Sequence, residues 1–135
     1  MEKEIAAFIL YNNKGQILLQ QRPDESETQN LPNYWVIFNG GIKFGEKPIQ
    51  TAKRESIEEL DYNLKNPQLI YEKEFNYNGS RKVYAFIEKY NPQKTLTLKE
   101  GQDMGWFFID ETERLQMTSL DREILAYLKS IFDFF

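Results

Sequence analysis

The segment from Gly40 to Tyr62, GGIKFGEKPIQTAKRESIEELDY, limits what this chain can fold into more than any other part of it. The spacing predicts a helix over Lys47 to Leu60, with Pro48 at a first-turn position where a missing N–H costs nothing. On a wheel of about 100° per residue, Ile49, Ala52, Ser56 and Leu60 share one side, which would face a core. Glu55, Glu58 and Glu59 gather within an arc of about 100° on the other side, with Arg54 at its edge. Three carboxylates this close repel one another unless a positive charge sits among them. Their oxygens suit a hard divalent cation such as Mg²⁺ or Mn²⁺. Before the helix, Gly40-Gly41 and Gly45-Glu46 form a loop whose backbone can approach a ligand or ion closely.

A helix with one apolar side needs a second layer to cover it, and the rest of the chain supplies strands. Glu4 to Tyr11 (EIAAFILY) reads as a strand, Asn12-Asn13-Lys14-Gly15 as a turn, and Ile17 to Arg22 as the returning strand of a hairpin. Pro23 to Asn33 is polar, carries Pro23 and Pro32, and reads as a long loop, a kind that is often functional. Tyr34 to Phe38 is a brief buried strand running into Gly40-Gly41. Leu69 to Tyr77 and Lys82 to Lys89 flank Asn78-Gly79, a strong hairpin signal. Met104 to Ile109 is a further strand. Leu120, Ile124, Leu128 and Ile131 mark a last amphipathic helix, with Thr118 or Ser119 as its N-cap. The pattern predicts an α+β fold in one domain over residues 1–135, and ten Phe, eight Tyr and two Trp supply its core. The aromatic end, Ile131 to Phe135, is read as tucking against that core, with a homodimer contact as the alternative.

Composition narrows the chemistry. With no cysteine and no histidine, thiolate or imidazole metal sites, cysteine nucleophiles and Ser-His-Asp triads are excluded. Any acid–base or metal chemistry falls to carboxylates. A net charge of −4 argues against nucleic-acid or anionic-membrane partners. No apolar run approaches the roughly 20 residues that span a bilayer, and no apolar segment follows a basic start, so a cytoplasmic protein is expected.

A lone E-x-x-E-E is usually just a solvated helix face. Here the spacing sets six positions, Gly40, Glu46, Arg54, Glu55, Glu58 and Glu59, with a chance occurrence on the order of one in 10⁵ at average residue usage. That spacing resembles the Nudix box. The resemblance extends upstream to Trp35–Gly40 (WVIFNG) and downstream to Lys99-Glu100-Gly101-Gln102 with Trp106, a loop similar to that of MutT-type nucleoside triphosphate pyrophosphohydrolases. It implies a Nudix α/β/α sandwich, a mixed β-sheet between helices, that uses Mg²⁺ or Mn²⁺. It also implies a nucleotide substrate: a nucleoside triphosphate cleaved to monophosphate and pyrophosphate. The alternatives are a nucleotide sugar, ADP-ribose or a dinucleoside polyphosphate, or a non-catalytic module that binds nucleotide.

Carried over position by position, the resemblance makes Glu55, Glu58, Glu59 and Glu100 metal ligands, with a backbone carbonyl near Asn39 or Gly40. Glu55 falls on the position of the general base, Glu100 on a loop carboxylate that assists water, and Glu46 with Arg54 on the pair bracing the loop against the helix. Among basic side chains near the box, Arg22 is the best candidate for a phosphate contact, ahead of Lys43, Lys47 and Lys53. Asp121 aligns where Asn reads the base; an acceptor-only Asp there would favour the donor-rich edge of guanine. Its blander role is to complement the helix N-terminus. The sequence departs from the family's usual form at four places. Ser56 takes an apolar place, its hydroxyl expected to bond back to a helix carbonyl; Asp61 replaces the left-handed glycine; Phe38-Asn39 replaces Pro-Gly; Lys43 replaces an acid.

Overall fold

Alternation along the first strand sets the layering. In the computed structural model, which describes residues 3–23, 32–76 and 80–132, strand β1 (Lys3–Tyr11) buries Ala6, Phe8 and Leu10 in one cluster and Ala7 and Ile9 in another. A strand apolar on both faces must be covered on both, and two helices do this. Helix α1 (Pro48–Leu60) brings Ala52 and Leu60 to the first cluster, where Phe8 and Phe38 stack at 5.3 Å. Helix α2 (Ser119–Ile131) brings Ile124, Leu125 and Leu128 to the second. The sheet between them is mixed. β1 runs parallel to β6 (Ser80–Lys89), which pairs antiparallel with β5 (Gln68–Asn76).

The other side of β1 is where the fold departs from a plain hairpin. β2 (Ile17–Gln21) meets β1 only at Tyr11↔Ile17, and the two then part. The chain from Trp35 to Gly41 fills the gap, so what reads as one short strand is two. β3 (Trp35–Val36) pairs with Gln20 and Gln21 of β2, and β4 (Phe38–Gly41) pairs with Ile5 to Phe8 of β1. This wedge places Asn39 and Gly40 at the open end of the sheet, directly before α1. β2's far edge carries β7 (Asp103–Phe107); Ile109, expected to end that strand, instead begins a 3₁₀ turn (Ile109–Arg114).

The ends of α1 are held by specific bonds. Lys47 N–H donates to Gln50 Oε1 at 2.8 Å, supplying an acceptor that the first turn lacks. At the C-terminus Asp61 adopts the left-handed conformation, φ 55°, that its glycine-like place demands. Ser56 does not bond back within the helix; its hydroxyl donates to Tyr62 O, beyond the turn, at 2.7 Å, and Tyr62 N–H returns to Ser56 O. Thr118 caps α2 through a bond from Asp121 N–H. The Asn78-Gly79 turn, most of the loop between Pro23 and Asn33, and Asp133 to Phe135 lie outside the described residues; Phe132 packs on the second cluster.

Candidate functional site

Gly40 is needed for close approach. A Cβ there would lie 2.1 Å from the Glu55 carboxyl carbon, so the carboxylate rests against the β4 backbone. Arg54 holds this arrangement from the helix side. Its Nε donates to Glu46 Oε2 at 2.8 Å and its Nη2 to Glu46 Oε1 and Gly41 O, both at 3.0 Å. Glu46 Oε1 also accepts from Lys43 N–H and the Thr51 hydroxyl, which ties the glycine loop to α1. These bonds keep the Glu46 carboxyl well below the usual carboxylate range and push the guanidinium up. The expected brace is therefore present. Arg54 does one thing more: Nη1 donates to both Glu55 Oε2, at 2.6 Å, and Glu58 Oε2, at 2.9 Å.

The three helix carboxylates occupy unlike environments. Glu58 is exposed, Glu55 is half-buried, and Glu59, placed by the wheel on the same solvated arc, is buried at 6% exposure. Glu59 turns toward the sheet, where Gln20 of β2 donates Nε2–H to its Oε1 at 3.0 Å; its Oε2 is buried with no hydrogen-bond partner among the described residues. Burial pushes Glu59 up to about 8, with the charges of Glu55 and Glu100 adding to the effect and the Gln20 bond opposing it. Burial raises Glu55 as well, and the Glu58 charge adds to that, against the pull of Arg54.

Glu100 is exposed on a loop pinned to the same place. Thr97 and Lys99 N–H donate to Leu60 O and Glu59 O, satisfying the last carbonyls of α1, and Gln102 N–H donates to Gln21 O. Among the described residues no three acidic side chains are gathered closely enough to hold a metal ion; Arg54 bonds Glu55 and Glu58, and Gln20 bonds Glu59. The donor set nevertheless fits a hard divalent cation. It is all oxygen, it carries more negative charge than Arg54 balances, and it contains an orphaned buried carboxylate oxygen. Asn39 is exposed and donates its amide to Ile37 O.

Arg22 and Asp121 belong to the α2 side. Asp121 is buried and accepts from the Thr118 hydroxyl and Ile37 N–H, with the Arg22 charge acting on it. Arg22 Nε is buried without a partner among the described residues. Burial outweighs those contacts and pushes Asp121 up to about 7 from 3.8. A raised acid makes the folded state bind the extra proton, so its contribution is whole below about pH 4 and is lost as pH rises through 7. At about 1.4 kcal/mol per unit, the rise of about three units puts the full loss, accrued between about pH 4 and 7, at about 4 kcal/mol. Urea unfolding should show wild type losing stability from pH 5 to 8, and Asp121→Asn should flatten that slope. The difference between the two proteins separates Asp121 from Glu59; parallel slopes would refute the shift.

Comparison with known proteins decides the family. The NUDIX domain profile matches residues 1–128. The chain belongs to the Nudix family. An uncharacterized Nudix hydrolase of Listeria innocua is 29% identical over 119 residues, spanning 87% of this chain and 69% of its own length. The solved MutT protein of Methanosarcina mazei has a TM-score of 0.80 at 16% identity, over 96% of this chain and 94% of its own. A Caenorhabditis elegans Ap4A hydrolase reaches 0.77 at 19% identity, over 98% and 99%. At such identities these structures speak for the fold alone, and that fold is the expected Nudix sandwich. This is a Nudix hydrolase, acting on pyrophosphate bonds, in a family that generally uses divalent metals. Among the described residues no helix is long and apolar enough to cross a membrane.

Within the Nudix box, Arg54 contacts Glu46, Glu55 and Glu58, and Glu55 rests against Gly40, whereas Glu59 turns to Gln20 of β2. Gln20 escaped the sequence reading. It sits 39 positions from Glu59 and belongs to no motif; the one available signal was a polar residue inside an otherwise apolar strand, ILLQQ.

Proposed function

We propose that this chain, working as one Nudix domain, hydrolyses nucleoside triphosphates to nucleoside monophosphate and pyrophosphate with Mg²⁺ or Mn²⁺. The observation that carries the metal-dependent part is the buried Glu59 carboxylate, one oxygen held by Gln20 and the other orphaned beside Glu55. The triphosphate part rests on the resemblance of the Lys99–Gln102 loop, whose Glu100 charge acts on Glu59.

Glu55, Glu58, Glu59 and Glu100, with a carbonyl of Asn39 or Gly40, would hold the metal. A cation held there would supply the charge neutralisation that phosphate oxygens need before water can approach. Glu55 would take the proton from that water, held for it against the β4 backbone at Gly40. Arg54 and Glu46 keep the glycine loop in register with the helix. Arg22, whose Nε has no partner among the described residues, is the basic side chain we assign to a phosphate contact, although its charge acts on Asp121 in the structure. A guanine preference through Asp121 would require its carboxylate to turn from Thr118 and Ile37 toward the base.

Product analysis tests this reading. Nucleoside triphosphates, nucleotide sugars, ADP-ribose and dinucleoside polyphosphates would each be incubated with Mg²⁺. Pyrophosphate release from the triphosphates, abolished by chelator, is the expected result. Turnover confined to the other classes would overturn the substrate and keep the metal site. Nucleotide binding without turnover of any compound would make the chain a silent module.

A further inference from the structure

We propose that Gln20 is a positioning residue that orients the Glu59 carboxylate for the metal and couples it to the loop carrying Glu100. This rests on the metal-dependent reading above. Gln20 is one of the few polar side chains inside the core, 8% exposed, on a strand whose backbone is held on both sides, by Val36 of β3 and Met104 of β7. Its side chain therefore starts from a rigid base, and its Nε2 donates to Glu59 Oε1 at 3.0 Å. A carboxylate held at one oxygen favours the orientations about its terminal bond that keep that hydrogen bond. Gln20 thereby biases the direction of the second oxygen, Oε2, which is buried, has no hydrogen-bond donor among the described residues and has the Glu55 carboxyl as its neighbour.

The choice of an amide is informative. A lysine or arginine would also satisfy the buried carboxylate, but it would cancel the charge a cation needs. A neutral donor orients the group and leaves its charge available. The other end of the amide meets the loop. A Cβ at Gly101 would lie 2.9 Å from Gln20 Oε1 and 3.2 Å from Gln21 O, so the loop backbone rests directly on this side chain. Gly101 has φ +92°, and the residues around it are bonded to the same two elements: Lys99 N–H to Glu59 O and Gln102 N–H to Gln21 O. One side chain thus touches both the helix carboxylate and the backbone next to Glu100.

The test uses Gln20→Met, which keeps the volume and removes the donor, and Gln20→Asn, which stays polar but withdraws the amide by one methylene. Mn²⁺ binding would be measured by the loss of the free-ion EPR signal on the intact protein, beside thermal melts without metal. The expected result is a cooperative melt for at least one variant, with Mn²⁺ affinity weakened 10- to 100-fold. Turnover should recover to within a few-fold of wild type at saturating metal, a split that a general packing defect would not produce. In a Glu59→Gln background the Gln20→Met change should alter the Mn²⁺ affinity less than twofold, because its route of action is already gone. Folded variants that hold Mn²⁺ within twofold of wild type would overturn the assignment, as would an undiminished effect in the Glu59→Gln background. A wild-type protein that takes up no Mn²⁺ would overturn the metal-dependent reading, and this inference with it.

Discussion

Glu55→Gln should lower metal-dependent hydrolysis by about three orders of magnitude while the protein keeps its fold. A general base contributes on the order of 10²- to 10⁴-fold, and the substitution also removes one negative charge from the cation's surroundings. Glutamine has the size of glutamate and retains an oxygen that can accept from Arg54 Nη1, now 2.6 Å from Glu55 Oε2, so the brace through Glu46 survives. Stability should hold or rise slightly, because burial and the Glu58 charge both disfavour ionised Glu55. Glu58→Gln is the internal comparison: that side chain is about half exposed, and its loss should cost much less than Glu55's. Turnover at saturating Mg²⁺ reads both. A Glu55→Gln enzyme within tenfold of wild type would transfer the base role to Glu59 or Glu100.

How far the sequence carries depends on the distance over which each interaction acts. The box was legible because helix geometry alone puts Glu55, Glu58 and Glu59 on one arc, and Arg54 reaches Glu46 eight positions back along the chain. Asp61 was legible for the same reason: a helix end that wants a left-handed residue tolerates Asp. The depth of Glu59 was not, since a wheel assigns angle and cannot show that the neighbouring sheet rises to meet that angle. The wedge of β3 and β4 between β1 and β2 was missed because pairing partners are set by the whole sheet; one apolar run serves two strands. Ile109 was read into a strand since its apolar character fits either state, and Phe108 N–H bonding to Glu111 Oε1 turns the chain there. Gln20 is the clearest case. Its role exists only after β2 and α1 are packed together.

Gly40→Ala should produce a comparable loss by geometry alone, without touching a reactive group. Gly40 lies in strand β4 opposite Ala6, in extended backbone that alanine adopts without strain. The added methyl would nevertheless sit 2.1 Å from Glu55 Cδ, 2.4 Å from Oε2 and 2.5 Å from Cγ, all impossible contacts. Something must move. The strand is held by its pairing with β1, whereas the atoms in the way are the far end of a flexible side chain, so Glu55 swings aside. A displacement of about 1 Å in a reacting group can cost 10²-fold, and a methyl demands more than that. Turnover should fall at least 100-fold, with a melting temperature close to wild type. Gly41→Ala is the matched control, one residue along the same strand, where a Cβ meets nothing within 4 Å. It should stay within a few-fold of wild-type activity and melt slightly higher, since alanine restricts the unfolded chain. Equal activity in the two variants would mean that Glu55 does not act from the place it occupies against Gly40. A steep fall in the melting temperature of Gly40→Ala would mean that the strand, and not the carboxylate, gives way.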